Sequence, residues 1–168
     1  MAEAYGLGYI VRHGSEPAHP VPGSTSTAAA SLSIPAITPE AGRQGRLETE
    51  VIETHLRGLR RALTSLGVLP DDGTVPAPLP AEHFEGSSWV RCTAGGWWEP
   101  SVGVGESLAR GQALGTVTSL HGDLIEQVVA PAGGVALCIT SSPAVKDGGL
   151  LVNLGLREPD TTGRGKRL

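Results

Sequence analysis

Apolar residues recur at helical spacing between Leu47 and Leu66, and this is the most regular pattern in the chain. Charged side chains lie largely on the opposite side, so the segment has one apolar and one polar face. Gly67 follows and is a typical residue for the end of a helix. The pattern predicts an amphipathic helix whose recurring positions are Leu47, Val51, Ile52, His55, Leu56, Leu59, Ala62, Leu63 and Leu66.

The first 40 residues carry weaker patterns. A short apolar run over residues 7–11 has the length of a buried strand. After a loop rich in proline and glycine, the small residues 27–32 predict a short helix capped by Ser24 or Thr25. Residues 34–38 predict a second strand, whose proline favours the start of the strand or an irregular segment.

The pattern changes after the amphipathic helix. Residues 69–81 are rich in proline and have no periodicity, which indicates a linker. Beyond residue 86, short apolar stretches alternate with glycine at close intervals, as is typical of an all-β structure. We therefore predict an α/β part over residues 1–68, a Pro-rich linker over 69–85, a β domain over 86–156 and a disordered tail over 157–168.

The composition limits the classes of function. The chain has 24 glycines and 13 prolines, which favours many turns and little long helix. A formal net charge of -4 gives no electrostatic basis for binding nucleic acid or an anionic membrane. No apolar run approaches the roughly 20 residues that cross a bilayer, and the N-terminus lacks the pattern of a signal peptide. We expect a soluble, cytoplasmic protein.

The cysteines and tryptophans are predicted to be structural. Cys92 and Cys138 lie far apart and lack the C-x-x-C spacing of a zinc knuckle or a redox pair. We predict two buried free thiols, with one disulfide as the alternative. We also expect Trp89, Trp97 and Trp98 to pack within the β domain rather than to stack on a ligand.

Three stretches together carry a resemblance to a known family. Residues 34–45 read I-P-A-I-T-P-E-A-G-R-Q-G and stand before the amphipathic helix. Residues 8–11, a loop and the short helix precede them. The β domain adds the glycine pattern A-G-G-W-W-E-P, G-E-S-L-A-R-G-Q-A-L-G and V-A-P-A-G-G-V. In this order, over most of residues 4–156, the stretches resemble the C-terminal part of the succinylglutamate desuccinylase/aspartoacylase family.

The resemblance implies a fold and an activity. The family has a zinc-carboxypeptidase-like α/β fold and uses zinc to hydrolyse the amide bond of N-acyl amino acids or related small molecules. For this chain it implies a partial zinc-carboxypeptidase-like domain followed by a small all-β, barrel-sandwich-like domain. The role that it implies for the β domain is to cover the cleft and narrow the access of substrate.

The resemblance also implies what the chain lacks. The family's zinc lies on an N-terminal H-x-x-E pair and a later histidine, which normally precede the point where this chain begins. We therefore expect a fragment or split half whose partner is a missing N-terminal half or a homologous chain. Half a domain leaves an apolar face uncovered, which predicts poor solubility or a homo-oligomer. The alternative is a non-catalytic binding or regulatory module derived from the family.

Glu40 occupies the position at which the family carries its catalytic glutamate, so the resemblance implies a general base/acid. A carboxylate on a glycine-flanked turn after a strand can project into a cleft and move protons. The alternative is a glutamate at a helix start, where it favours the macrodipole. Arg43, on the same turn, is a candidate for binding a substrate carboxylate in bidentate fashion, with a surface arginine as the alternative.

The motif H-G-S-E at His13 and Glu16 matches H-x-x-E. It lies in a proline-rich loop a short distance before Glu40, whereas the family separates the two by most of a domain. We therefore predict no metal ligands in this chain and keep His13 and Glu16 as the alternative zinc ligands. In that alternative the third ligand would come from His19, His55, His83 or His121.

The glycine pattern of the β domain is also typical of lipoyl and biotinyl carriers. A carrier needs a lysine at its hairpin tip for amide attachment. Here residues 120–123 read L-H-G-D, and Lys146, the one lysine within residues 86–156, lies well beyond them. The sequence therefore predicts the shape of such a domain without the carrier function.

Overall fold

The computed structural model describes residues 1–12 and 23–157. Contacts divide the chain into two compact units, Met1–His83 and Phe84–Leu168. The tail predicted to be disordered lies outside the described residues from position 158 onward. None of the helices in the described ranges has the length and hydropathy of a membrane span.

Unit 1 is built around one long helix. This helix covers Thr49–Ser65 and is followed by Gly67 at a φ of 71°, so the predicted amphipathic helix is confirmed. The predicted short helix is confirmed as well, and the Ser24 side chain accepts a hydrogen bond from the Thr27 N–H at 3.2 Å. The elements of the unit are α1 (Ala2–Tyr5), β1 (Tyr9–Val11), α2 (Thr25–Ser31) and α3 (Thr49–Ser65); β2 (Glu82–Phe84) follows at the boundary, with Phe84 as the first residue of unit 2.

Two strand predictions in unit 1 need correction. β1 is a strand, but it pairs only with β2 and is not buried, since Tyr9 is 41% exposed. Residues 34–38 form no strand, and Ile34 is exposed. The sequence shows apolar residues of strand type there, but Pro35 lacks an N–H donor and no strand of the described chain lies alongside to complete a ladder.

Tyr5 forms the centre of packing in unit 1. Its ring is buried against Gly58 of α3, where an added Cβ would overlap the ring atoms. Its hydroxyl lies 2.8 Å from Nδ1 of His55 and donates to the His55 carbonyl at 3.3 Å. The Arg61 guanidinium donates to the Tyr5 carbonyl at 3.2 Å. α1 is thus held on the face of α3 that carries the small residues Gly58 and Ala62.

The segment between α3 and β2 contains no helix or strand, which agrees with its irregular sequence. It is nevertheless attached to α3 at two points. The Arg60 guanidinium forms an ion pair with Asp72, and the Arg61 Nε donates to the Pro76 carbonyl at 2.8 Å. Asp72 also accepts hydrogen bonds from the backbone and side chain of Thr74. The segment therefore runs along the helix in a fixed position.

Unit 2 is all-β within its described residues, as predicted, and consists of two four-stranded sheets. One sheet has the order β3-β10-β8-β5 and the other β7-β6-β4-β9, with antiparallel neighbours throughout. The strands are β3 (Gly86–Arg91), β4 (Gly96–Pro100), β5 (Ser107–Leu108), β6 (Ala113–Thr118), β7 (Leu124–Val129), β8 (Gly134–Ile139), β9 (Ala144–Val145) and β10 (Leu150–Leu156).

Both sheets contribute to one hydrophobic core. Trp98 and Leu114 come from one sheet and Leu151 and Leu154 from the other, and all four are buried. In β4 the neighbouring side chains point to opposite faces of the sheet, so Trp98 is buried between the exposed Trp97 and Glu99. Trp98 therefore packs as expected, whereas Trp89 and Trp97 are 36% and 45% exposed and do not.

Cys92 and Cys138 form no disulfide, as predicted, and Cys92 is buried. Cys138 is exposed, so its predicted burial is wrong. The cause is a register shift between β8 and β10, where Leu154 pairs with Ala136 but the next residue, Asn153, pairs with Cys138. The extra residue in β8 reverses the alternation of side chains, which no hydrophobic pattern shows in advance.

The β6–β7 hairpin carries the tip predicted from the glycine pattern. Ser119 and Asp123 close it through a backbone hydrogen bond of 2.8 Å from the Ser119 N–H to the Asp123 carbonyl. His121 lies at this tip and is exposed. Lys146 follows β9, away from the hairpin in sequence, so the tip has no attachment site for a lipoyl or biotinyl group.

Candidate functional site

The turn that carries Glu40 and Arg43 is shaped by its backbone and by contact with α3. Gly42, Gln44 and Gly45 all have positive φ angles, of 86°, 54° and 63°. A Cβ added at Gly42 would lie 3.0 Å from Cγ1 of Val51, in the first turn of α3. A side chain at position 42 would thus be strained both by its φ and by its neighbour. We call residues 40–46 the acidic-basic turn.

Glu40 is exposed at the start of this turn. It makes no hydrogen bond or ion pair with any residue of the described chain. The N-cap of α3 is Glu48 and the acidic residue of its first turn is Glu50, so the macrodipole of the helix does not account for Glu40. The carboxylate is therefore accessible to a molecule from outside the chain.

Arg43 and Arg46 share one carboxylate. The Nε of Arg43 donates to Oε1 of Glu48 at 3.3 Å, and the Nε of Arg46 lies 3.6 Å from the same oxygen. Two guanidinium groups thus face one negative charge. Both arginine side chains are mostly exposed, and the terminal nitrogens of Arg43 have no partner within the described residues. A planar guanidinium with free terminal N–H groups can donate to both oxygens of a carboxylate.

The histidines within the described residues do not lie together. His13, Glu16 and His19 lie outside the described residues. His55 is engaged with Tyr5, and Nε2 of His83 lies 3.4 Å from Oε1 of Glu3. Within residues 1–12 and 23–157, no three His, Cys, Asp or Glu side chains are placed to hold a metal ion. The described part of the chain does not fit a zinc ion.

Two surface grooves lie elsewhere. One has a volume of about 430 Å³, follows α3 and has mainly apolar walls. The sequence pattern did not identify its lining residues as a site. The other, of about 390 Å³, lies on the β4-β6-β7 sheet. The first is lined by Leu56, Arg57, Leu59, Arg60, Leu63, Leu69 and Val75. The second is lined by Glu99, Pro100, Ser101, Ala113, Gly115, Thr116 and Gln127.

Two described groups have displaced pKa values, and both belong to the packing around α3. Burial raises the pKa of the Tyr5 hydroxyl. Hydrogen bonds from the Thr74 side chain and backbone, together with the Arg60 charge, lower the pKa of Asp72. These shifts therefore reflect the structure of unit 1 and are separate from the acidic-basic turn.

No protein-family model and no curated protein matches the sequence. Solved structures do match. The ectoine utilization protein EutE (DoeB) from Ruegeria pomeroyi is similar with a TM-score of 0.77 and 19% identity, over 92% of this chain and 48% of that chain. A succinylglutamate desuccinylase/aspartoacylase from Rhodobacter sphaeroides is similar with a TM-score of 0.72 and 19% identity, over 95% and 48%.

A succinylglutamate desuccinylase from Silicibacter sp. TM1040 gives a TM-score of 0.74 and 20% identity, over 92% of this chain and 47% of that chain. The chain spans about half the length of the solved structures that it matches. At this level of identity the similarity establishes the fold. The resemblance inferred from the Glu40 turn and from the glycine pattern is thereby confirmed as a shared, partial fold.

Proposed function

We propose that the chain contributes a catalytic carboxylate to a zinc-dependent hydrolase that cleaves the amide bond of N-acyl amino acids or related small molecules. The observation that carries the proposal is the state of Glu40. Its carboxylate is exposed, has no partner among the described residues, and lies on a turn held against α3 by Gly42 and Val51. The shared fold with desuccinylase/aspartoacylase structures supports the same class of reaction.

Glu40 acts in this proposal as the general base and acid. Its carboxylate takes a proton from the attacking water and returns one to the nitrogen of the leaving amine. A carboxylate that is tied up in an internal ion pair would be a weaker base, and Glu40 has no such pair with the described residues.

Arg43 binds the substrate in this proposal. An N-acyl amino acid carries a free carboxylate, and a guanidinium can bind both of its oxygens. Glu48 engages Arg43 through Nε, which leaves the two terminal nitrogens directed away from that contact. Glu48 thus orients the guanidinium without occupying the edge that would bind substrate.

The zinc of the proposed enzyme needs ligands that the described residues do not supply. We propose that a partner polypeptide or homologous chain carries them. The β unit would act as a barrel-sandwich-like cover that narrows the access of substrate. A cytoplasmic location belongs to the same proposal.

Co-expression tests this function. The chain is produced together with a polypeptide that carries an H-x-x-E pair and a later histidine, such as one encoded by a neighbouring reading frame. Hydrolysis of a panel of N-acetyl and N-succinyl amino acids is expected only from the combination. Glu40→Gln should lower kcat about 10²–10⁴-fold. Glu50→Gln, which alters an exposed carboxylate on α3, is the matched control and should retain activity.

A second function is favoured by the absence of a metal cluster among the described residues. In it the chain is a non-catalytic binding or regulatory module. Calorimetric titration with an N-acyl amino acid separates the two proposals. Binding by the chain without turnover in any co-expressed complex supports the module, whereas turnover that depends on Glu40 supports the hydrolase.

A further inference from the structure

A tight turn brings Arg43 and Arg46 together just before α3. The Arg46 N–H donates to the Arg43 carbonyl at 3.1 Å, and this hydrogen bond closes the turn. The two residues between them, Gln44 and Gly45, have φ angles of 54° and 63°. Two successive positive φ angles are typical of a type I′ turn, whose first and last residues stand side by side. From these two positions both arginines reach the Glu48 carboxylate.

Glu48 is the N-cap residue of α3, but its carboxylate does not cap the helix. The side chain makes no capping hydrogen bond, whereas the Glu48 carbonyl accepts from the Val51 and Ile52 N–H groups at 3.0 Å. Side-chain caps are usually serine, threonine, aspartate or asparagine, whose oxygen lies close to the backbone. The longer glutamate side chain instead reaches the acidic-basic turn, where its Oε1 contacts both arginines. The carboxylate therefore serves the turn and not the helix.

The position of Glu48 on Arg43 depends on what else Glu48 can bind. Its Oε1 lies 3.3 Å from Nε of Arg43 and 3.6 Å from Nε of Arg46, so two guanidinium groups share it. A carboxylate that has only one guanidinium pairs most strongly when its two oxygens accept from two nitrogens. Without Arg46, Glu48 would therefore take at least one terminal nitrogen of Arg43. That nitrogen belongs to the edge proposed to bind substrate.

We propose that Arg46 is a positioning residue that acts through Glu48. It holds the Glu48 carboxylate at the Nε side of Arg43 and so keeps the terminal nitrogens of Arg43 open to the carboxylate of a substrate. It also offsets the negative charge of Glu48, which would otherwise repel that substrate. The proposal rests on the role of Arg43 in the proposed hydrolase, and it requires no contact between Arg46 and the substrate.

The exposure of the three side chains limits the size of the effect. Arg43, Arg46 and Glu48 have side chains that are 69%, 60% and 33% exposed. In water, a unit charge about 6 Å from the substrate carboxylate changes binding about threefold. Salt screens such a charge further. We therefore expect an effect of several-fold at low ionic strength, which decreases as salt is added.

Kinetics of the co-expressed hydrolase test this role. Arg46→Gln should raise KM for an N-acetyl amino acid about three- to tenfold at low salt, because Glu48 is then uncompensated. The kcat should stay within about twofold, because Glu40 is unchanged. Adding Glu48→Gln should return KM to near the wild-type value. Arg57→Gln breaks the comparable exposed pair with Glu53, is the matched control, and should leave KM unchanged.

The double variant separates this role from direct binding of substrate. A KM that stays raised in Arg46→Gln/Glu48→Gln would mean that Arg46 itself contacts the substrate, and it would overturn the proposal. An unchanged KM in Arg46→Gln would also overturn it. Arg46→Lys keeps the positive charge and should retain most of the wild-type affinity. Circular dichroism should show the same helix content in all variants.

Binding to the chain alone separates the role of Arg46 from the hydrolase function. N-acetylglycine, which carries one carboxylate, is titrated into the chain while NMR follows the guanidinium N–H resonances of Arg43. We expect saturable shifts in the wild type, weaker binding in Arg46→Gln and recovery in the double variant with Glu48→Gln. Turnover by the complex without this pattern would overturn the role of Arg46 and leave the hydrolase. The pattern without turnover would support the role of Arg46 and contradict the hydrolase.

Discussion

The hydroxyl of Tyr5 lies 2.8 Å from Nδ1 of His55, and this contact joins the N-terminal helix to the middle of α3. The Tyr5 ring is buried against the same helix. The face of α3 that meets Tyr5 carries small residues, while the leucines point to the surface. The packing of this one ring therefore holds α1 on the side of α3 that carries Gly58 and Ala62.

Gly58 accommodates the Tyr5 ring, and any larger residue should displace it. We expect Gly58→Val to destabilise unit 1 by roughly 1–3 kcal/mol, because an added side chain at this position overlaps the ring. Urea unfolding, followed by the circular dichroism signal of the helices, measures the loss in the free energy of unfolding. Arg57→Val places the same side chain at an exposed position of α3 and is the control for helix propensity. Equal effects of the two substitutions would contradict this packing.

The Tyr5 hydroxyl predicts a dependence of stability on alkaline pH. Burial raises its pKa above the ordinary value of 10.0, so the folded state keeps the proton longer than the unfolded state does. The stabilisation is complete below pH 10 and is lost as the pH rises through the folded pKa. Tyr5→Phe should remove this dependence and cost about 1 kcal/mol at neutral pH through the lost hydrogen bonds.

Thermal unfolding between pH 8 and 11 measures this effect. Tyr9→Phe changes an exposed hydroxyl and should leave the profile unchanged. A wild-type profile that Tyr5→Phe does not alter would show that another group is responsible.

The lowered pKa of Asp72 predicts that the stability of unit 1 depends on pH in the acid range. Thr74 and Arg60 hold the pKa of its carboxyl below the ordinary value of 3.8, so the stabilisation is present above that value and is lost as the pH falls through the folded pKa. Asp72→Asn should release the segment from α3 and speed amide exchange over residues 69–76. Asp71→Asn, which neutralises a neighbouring carboxylate whose Oδ1 accepts from the Gly73 N–H, is the control. Equal exchange in wild type and Asp72→Asn would contradict this attachment.

Leu151 anchors the core of unit 2. It is fully buried on β10, between the partner strands β3 and β8. Leu151→Ala should cost about 2–5 kcal/mol, because it removes buried methyl groups and leaves a cavity. Leu120→Ala, at the exposed hairpin tip, should change stability by less than about 0.5 kcal/mol. Denaturant unfolding followed by tryptophan fluorescence compares them, and similar losses would place Leu151 outside the core.

Local patterns predict the helices and the all-β character of unit 2, because capping and periodicity act over a few residues. Ser24 and Gly67 mark helix ends as the sequence indicates. Residues 34–38 have strand-type residues but no strand, since a strand also needs a neighbour that local sequence cannot supply. Cys138 is exposed because of a single register shift.

The candidate site, like the fold, could be predicted from the sequence only in part. The turn at Glu40 was identified from its resemblance to a family, and the structure adds its exposure, its backbone geometry and the Glu48 contact of Arg43. The apolar side of α3 was predicted from its spacing. The exposure of Leu56 and Leu59 was not, because periodicity shows that a helix has an apolar side without showing what covers it.

The zinc content of the purified chain tests the central claim most directly, namely that this chain supplies a catalytic carboxylate while the metal ligands come from elsewhere. Elemental analysis of the wild type and of His13→Ala, after exposure to zinc and removal of loosely bound metal, gives the number of zinc ions per chain. The account predicts a value far below one for both proteins. One zinc per wild-type chain, lost in His13→Ala, would contradict it and would make His13 and Glu16 the metal ligands.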